Sequence, residues 1–238
     1  HGTVSFVGFA EGVLQESLPS GVQTFGNWYG VIHLESMIYF IGSALFMVAL
    51  LKERSEVGYK SASLTDPLTG LLNRRAFFDA GDRLLERCRR SSLPCSVIAI
   101  DFDRFKAIND TYGHAIGDRV LQAFAALAPK YLRSRDLVGR LGGEEFAVVL
   151  PQTHLREAAD VGDRLRTAFR AAAATVENNE TRATLSGGVA VALSDDRTLA
   201  DVLDRADAAL YRAKLNGRDR IELDAAANSI RVVRDIAS

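Results

Sequence analysis

Residues 61–224 predict an α+β domain in which helices cover a central, mostly antiparallel sheet in the ferredoxin-like manner. Three observations carry that prediction. The run Cys95-Ser96-Val97-Ile98-Ala99-Ile100-Asp101-Phe102 is apolar and rich in β-branched residues, as expected of a strand buried on both faces. Gly142-Gly143 separates two extended segments, Asp136-Leu137-Val138-Gly139 and Phe146-Ala147-Val148-Val149-Leu150, which reads as a β-hairpin. Segments of helical spacing alternate with these strands to give the order β-α-β-β-α-β with additions.

The elements follow in chain order. Residues 1–27 are Gly-rich and mixed. From Val31 to Leu51 the chain is apolar apart from His33 and Glu35, with no charge between Ser36 and Leu51. Starting at Trp28, the stretch 28–51 approaches the roughly 20 apolar residues of a membrane helix. Trp28 and Tyr29 suit an interface, and Lys52, Arg54 and Lys60 suit a cytoplasmic flank. The expectation is the end of a membrane-bound sensor at a bacterial inner membrane, with the folded domain in the cytoplasm. The alternatives are a dimerisation helix and a cytoplasmic fragment. The chain begins with His1, as a fragment or a processed or tagged form would. Residues 1–60 are thus expected to be a helical segment closed by a connecting helix over Leu51–Leu64.

In the main domain, Phe77–Arg90 carries helical apolar spacing and Cys95–Phe102 is the buried strand. Gly117–Leu132 reads as a helix that Pro129 kinks or shortens. The hairpin comes next, with glycine supplying the positive φ of a tight turn. His154–Ala174 reads as a helix, Thr184–Leu193 as a strand, Leu199–Leu215 as a helix and Arg220–Leu223 as a short last strand. Residues 225–238 form a tail without a readable pattern.

Composition bounds the function. A net charge of −1 gives no reason to expect nucleic acid as a partner. Two cysteines, Cys88 and Cys95, are too few for a disulfide framework and read as free thiols. The chemistry-bearing residues cluster at two places. The buried strand ends in Asp101-Phe102-Asp103, and alternation is expected to put both carboxylates on one face. The hairpin turn carries Glu144 and Glu145 directly after two glycines, where a ligand can lie against the backbone. Such oxygen ligands suit Mg²⁺, which takes few carboxylates and completes its shell with water and phosphates. Taken alone, the turn is about equally compatible with a solvated hairpin tip, and Asp-x-Asp is more commonly a helix cap or a solvated strand end.

Taken together, these residues carry a family resemblance. The segments Asp66-Pro67-Leu68-Thr69-Gly70-Leu71-Leu72-Asn73-Arg74-Arg75, Asp101 through Asp118, Gly142-Gly143-Glu144-Glu145-Phe146, Thr184 through Ala190, Ala206 through Lys214 and Gly217-Arg218-Asp219-Arg220 resemble the GGDEF family of diguanylate cyclases, in a GGEEF variant. The resemblance spans roughly residues 64–224 and implies a nucleotidyl-cyclase palm fold. It implies condensation of two GTP molecules into cyclic di-GMP with release of two pyrophosphates. It also implies an Mg²⁺ cofactor (Mn²⁺ as the alternative) and a C2 homodimer, because each protomer holds one GTP.

By the same resemblance, Asp101, the Phe102 carbonyl and Glu144 are metal ligands. Glu144, Glu145 and Lys106 are the catalytic group. Gly142 and Gly143 lie against the nucleotide, Asn109 and Asp118 read guanine, and Lys214 and Arg218 contact phosphates, with His114 a lesser candidate. An aspartate facing guanine accepts from its N1–H and exocyclic amine, a donor pair adenine lacks. Lys214 and Arg218, four residues apart, share a face if the helix extends that far. Arg104 departs from the aromatic or histidine often found at its position. Arg133-x-x-Asp136, with Arg164, matches an inhibitory site for cyclic di-GMP. The alternative function is a silent module that binds GTP or cyclic di-GMP as a receptor or scaffold.

Overall fold

The computed structural model describes residues 32–48, 63–174, 176 and 181–225 of the 238-residue chain. It separates into two units, His1–Ala62 and Ser63–Ser238. In the first unit, residues 32–48 form helix α1, exposed at every residue. No helix among the described residues is long and apolar enough to cross a membrane. Trp28, Tyr29, Lys52, Arg54, Lys60, most of the expected connecting helix and residues 226–238 lie outside the described residues.

The second unit is built on a six-stranded mixed sheet. Its strands are β1 (Leu72–Asn73), β2 (Cys95–Phe102), β3 (Leu137–Arg140), β4 (Glu145–Pro151), β5 (Leu185–Val191) and β6 (Ile221–Leu223), in the spatial order β1-β3-β4-β2-β5-β6. The pairings β3–β4, β4–β2 and β2–β5 are antiparallel, and the edge strands β1 and β6 join in parallel. The four inner strands thus follow the expected βαββαβ connectivity, and the parallel edges are the additions.

Among the described residues five helices cover the sheet: α2 (Arg74–Arg90), α3 (Phe105–Tyr112), α4 (His114–Tyr131), α5 (Leu155–Ala173) and α6 (Leu199–Leu215). Strand alternation divides the core in two. Ile98, Ile100, Phe102, Phe146, Val148 and Leu150 point to the side of α3, α4 and α5. There Phe102 stacks on Phe169 at 4.6 Å between ring centroids and meets Phe124 edge-on at 5.5 Å. Val97, Ala99, Ala147 and Val149 point to the other side, against Phe77 and Leu85 of α2 and Leu199, Val202 and Ala206 of α6.

The helix boundaries show where local chemistry overrules periodicity. α2 starts at Arg74, ahead of the predicted Phe77, because the Asn73 side chain accepts from the Ala76 N–H and caps the helix. The segment before Gly117 is a separate helix, α3. Gly113, at φ +83°, ends it and lets α4 begin at His114. Pro129 lies in the last turn of α4, which stops at Tyr131. The observed β2 and α6 match their predicted limits.

One predicted cause is corrected. The described glycines of positive φ are Gly70, Gly113 and Gly217, so Gly142 and Gly143 make the hairpin turn without the left-handed region. At Gly142 a Cβ would stand 2.8 Å from a carboxylate oxygen of Glu145, which would have to swing aside. A side chain at Gly143 would meet open space.

Candidate active site

The site grows from the exit of β2. Because Asp101 follows Val97 and Ala99 in alternation, its carboxylate emerges on the α6 side of the sheet, where only a polar partner can stabilise it. Lys214, in the last turn of α6, supplies that partner at 2.8 Å. Asp101 lies directly opposite Glu145, the first residue of β4. The two carboxylates therefore share a face beneath the hairpin turn. They line a cleft of about 450 Å³ with Asp207 and Tyr211 of α6, Arg74 of α2 and Lys214.

The electrostatics reflect several acids gathered around the Lys214 ammonium. Burial pushes the Asp101 carboxyl above its ordinary value; Lys214 opposes this, and Glu145 and Asp103 add to it. Burial also raises Glu144, and the charge of Asp101 is the next cause, which places Glu144 within electrostatic reach of the strand end. Asp207 is raised to about 6, by burial first and then by Glu145 and Asp204. Sites where burial and like charges raise several carboxyls are the kind that take up a cation or a proton.

The donor set fits magnesium. It offers hard carboxylate oxygens, with Phe102 restricted to its main chain because its ring is buried among Phe105, Phe124, Phe146 and Phe169. Among the described residues no three His, Cys, Asp or Glu side chains converge as a complete cage.

The hairpin turn is held from behind. Arg140 donates from Nη2 to the Gly143 carbonyl at 2.8 Å and from Nε to the Gly142 and Gly143 carbonyls at 3.3 and 3.1 Å. Its Nη1 pairs with Asp66 at 3.0 Å, and Asp66 in turn accepts from the N–H and hydroxyl of Thr69. Sequence reading did not single out Arg140 or Asp66 as functional. Asp207 was also missed, although its place two turns before Lys214 on a helix puts both on one face.

One expectation holds and one is corrected. Asp103 stays on the face of Asp101, because Ser186, the register partner of Asp101, reaches it. The Asp103 carboxylate accepts from the hydroxyls of Thr184 and Ser186 and from the Asp219 N–H, which ties three segments together. Lys214 and Arg218 do not share a helical face. α6 ends at Leu215, Arg218 has φ +64°, and Arg218 lines a different cleft.

The remaining predicted residues lie on α3, α4 and the turn before β3. Lys106 is exposed on α3, and His114 and Asp118 are exposed in the first turns of α4. Asn109 of α3 turns its Oδ1 toward Gly117, where a Cβ would come within 1.9 Å; that oxygen is buried and without a hydrogen bond. A buried, unpaired amide oxygen beside exposed Asp118 is an acceptor awaiting a donor. Asp136 accepts from the Arg133 N–H at 2.7 Å, closing the turn after α4. Its Oδ1 is buried and unpaired, and burial raises its carboxyl. Arg133 and Arg164, the latter on α5, are exposed.

The fold and site are thus a ferredoxin-like sheet with an acidic cleft where its central strand ends, a glycine turn beside it and a lysine paired with one of the acids. The chain belongs to the GGDEF family: the family model described as diguanylate cyclase, GGDEF domain, matches residues 63–220. It is 40% identical over 164 residues to the diguanylate cyclase DgcP of Pseudomonas aeruginosa, covering 69% of this chain and 24% of that protein. It is 40% identical over 161 residues to the response regulator PleD of Caulobacter vibrioides, covering 67% of this chain and 36% of that one. Among solved structures it resembles the active GGEEF domain of a diguanylate cyclase from Vibrio cholerae. That likeness has a TM-score of 0.61 and 36% identity, over 65% of this chain and 97% of that one. The chain thus spans about a quarter to a third of the length of these two curated relatives.

Proposed function

We propose that residues 61–224 are a diguanylate cyclase domain that condenses two GTP molecules into cyclic di-GMP and releases two pyrophosphates. The observation that carries this reading is the meeting of Asp101, opposite Glu145 and paired with Lys214, with the Gly142–Glu145 turn, on a chain whose family is established. In each half-reaction a bond forms between a 3′-oxygen and the α-phosphorus of the other nucleotide. The bond from that phosphorus to the bridging oxygen breaks, and pyrophosphate leaves with the electron pair.

Asp101, the Phe102 carbonyl and Glu144 would hold Mg²⁺ (or Mn²⁺), which when bound neutralises phosphate charge and acidifies the attacking hydroxyl. Glu144, raised by burial and by Asp101, is suited to receive the hydroxyl proton, with Glu145 and Lys106 supporting it. Lys214, which pairs with Asp101 at the cleft wall, would contact the phosphates. Gly142 and Gly143 let the nucleotide lie against the backbone, while Asn109 and Asp118 read the guanine edge, with His114 nearby.

Two protomers face each other, since one site holds one GTP. Residues 1–60 serve to align them, as a dimerisation helix or as the end of a membrane anchor. Arg133, Asp136 and Arg164 form the feedback site for cyclic di-GMP. The crystal structures that support this part of the reading include GGDEF domains in complex with cyclic di-GMP.

The test is purified protein with GTP and Mg²⁺. Pyrophosphate and cyclic di-GMP should form from GTP and not from ATP. Asp101→Ala and Glu144→Ala should each abolish turnover while circular dichroism stays unchanged. Nucleotide binding without turnover by the wild type would leave the receptor reading in its place.

A further inference from the structure

The acidic cleft has a wall that the metal-binding and nucleotide-binding residues leave free. Asp101, Glu145 and Lys214 line it at the strand end, and the rest of its lining comes largely from α2 and α6. Arg74, Asp207 and Tyr211 are exposed at its mouth, while Leu203 and Leu210, both buried, line it more deeply. The residues proposed to read guanine stand elsewhere. Asn109 and Asp118 belong to α3 and α4, which pack on the opposite face of the sheet from α2 and α6, and neither lines the cleft.

The free wall has a definite chemistry. Asp207, Tyr211 and Lys214 follow at spacings of four and three on α6, so they form one stripe along the cleft. Asp101 is paired with Lys214, whereas Asp207 is exposed and unpaired among the described residues. Arg74 is the cation whose charge eases Asp207. Arg74 is itself steadied at the wall: its Nη1 donates to the Leu141 carbonyl at 3.4 Å, and its guanidinium lies 5.5 Å from the centre of the Phe78 ring. Tyr211 is 64% exposed, which leaves an aromatic face bare. A carboxylate accepts from ribose hydroxyls, and a bare ring beside an apolar floor suits the face of a sugar.

Each metal centre must meet two nucleotides. One is bound by its own protomer. The other, carried by the partner, must bring its 3′-oxygen to the α-phosphorus from a side that the first does not fill. We propose that the free wall is the acceptor subsite: it seats the ribose of the nucleotide carried by the partner protomer, with Asp207 accepting from the 2′-hydroxyl and the Tyr211 ring against the sugar. This inference rests on the cyclase reading above and adds to it the residue that tells ribose from deoxyribose. The subsite is filled only when a second protomer faces the first.

The experiment is initial-rate kinetics of the full chain with GTP and with 2′-deoxy-GTP, beside calorimetric titration of a GTP analogue with a methylene bridge between its α and β phosphorus atoms. Melting temperature is recorded for every variant. Wild type should turn over GTP faster than 2′-deoxy-GTP. Asp207→Ala should lower kcat on GTP about tenfold or more, as loss of a charge-assisted hydrogen bond implies, and should shrink the ratio of GTP to 2′-deoxy-GTP turnover by the same factor. Tyr211→Ala should lower kcat on both substrates alike, and Tyr211→Phe should recover most of that loss, because the ring makes the contact. The Kd of the analogue should stay within about threefold of wild type in all three variants, since each protomer binds its own nucleotide through other side chains. A folded Asp207→Ala with the kcat and the substrate ratio of wild type overturns the proposal. An analogue Kd that weakens in step with kcat also overturns it, because the wall would then hold the protomer's own nucleotide. A wild type that makes no cyclic di-GMP from GTP sinks the cyclase reading, and this inference with it.

Discussion

Arg140 is the residue through which the first motif of the domain holds the Gly142–Gly143 turn, and its removal is the sharpest test of that linkage. Its guanidinium makes an ion pair with Asp66 and three contacts to the Gly142 and Gly143 carbonyls, with only 17% of its side chain and 19% of that of Asp66 accessible. Arg140→Ala leaves Asp66 half-buried with Thr69 alone and two turn carbonyls without their donor. Hydrogen bonds from a charged donor contribute about 1.5–3 kcal/mol each when desolvated, and partial exposure here argues for a total of about 2–4 kcal/mol. For a domain of this size that is a fall in Tm of roughly 5–15 °C.

Turnover should fall further than stability does, because Glu144 rides on the released turn, whereas GTP affinity should change less. Arg140→Lys should recover part of the stability and little of the turnover, since an ammonium cannot span Asp66 and two carbonyls together. A double-mutant cycle with Asp66→Ala should give a coupling of about 1 kcal/mol. The Asp66 carboxyl lies below its ordinary value: burial pushes it up, but Thr69 and Arg140 together outweigh burial. A depressed folded pKa means that the pair stabilises fully above the unfolded value of 3.8 and is lost as pH falls through the lower folded value. The wild-type advantage over Arg140→Ala should therefore shrink in acid. Full turnover in a clearly destabilised Arg140→Ala would show that the clamp is structural only.

Other outcomes follow from single contacts. Gly188→Ala should cost about 3 kcal/mol or more, or prevent folding, because its Cβ would stand 2.0 Å from the Ala206 carbonyl oxygen and 2.2 Å from the Leu210 nitrogen, both helix backbone; a denaturant melt decides it. Gly117→Ala should raise KM for GTP about tenfold with a small change in Tm, since it displaces the Asn109 carboxamide, a movable side chain; unchanged nucleotide binding would remove Asn109 from the guanine site. Asp207 has a folded pKa of about 6, above the ordinary 3.8, so it destabilises the ionised fold: stability is full below about 4 and declines as pH rises through about 6. Asp207→Asn should flatten that part of the Tm–pH curve and raise Tm at pH 7. Burial and the neighbouring Cys88 push the Cys95 thiol up to about 12, so alkylation at pH 8 should wait for unfolding.

The strands and helices with a strong period were legible in the sequence. Cys95–Phe102 and Leu199–Leu215 appear at their predicted limits because burial on both faces, and one apolar stripe, leave no other reading. Boundaries set by a single hydrogen bond were not legible, as at the Asn73 cap of α2 and the Gly113 break between α3 and α4. The acids of the site could be named from their motifs, but their partners could not. Arg140 and Asp66 are 74 residues apart, and Asp103 reaches Asp219 across 116; no local spacing signals such pairs.

The order of amino acids by itself determined the family, the βαββαβ core and the acids at Asp101, Glu144 and Glu145, because hydrophobic period and motif spacing are local properties of the chain. Only the tertiary structure decided which carboxylates share a cleft, that Asp103 is a structural tie, that Lys214 and Arg218 line different clefts, and that Arg140 holds the glycine turn. Those outcomes depend on where β2 and α6 end and on which distant side chain meets each buried charge. Sheet register and packing set both.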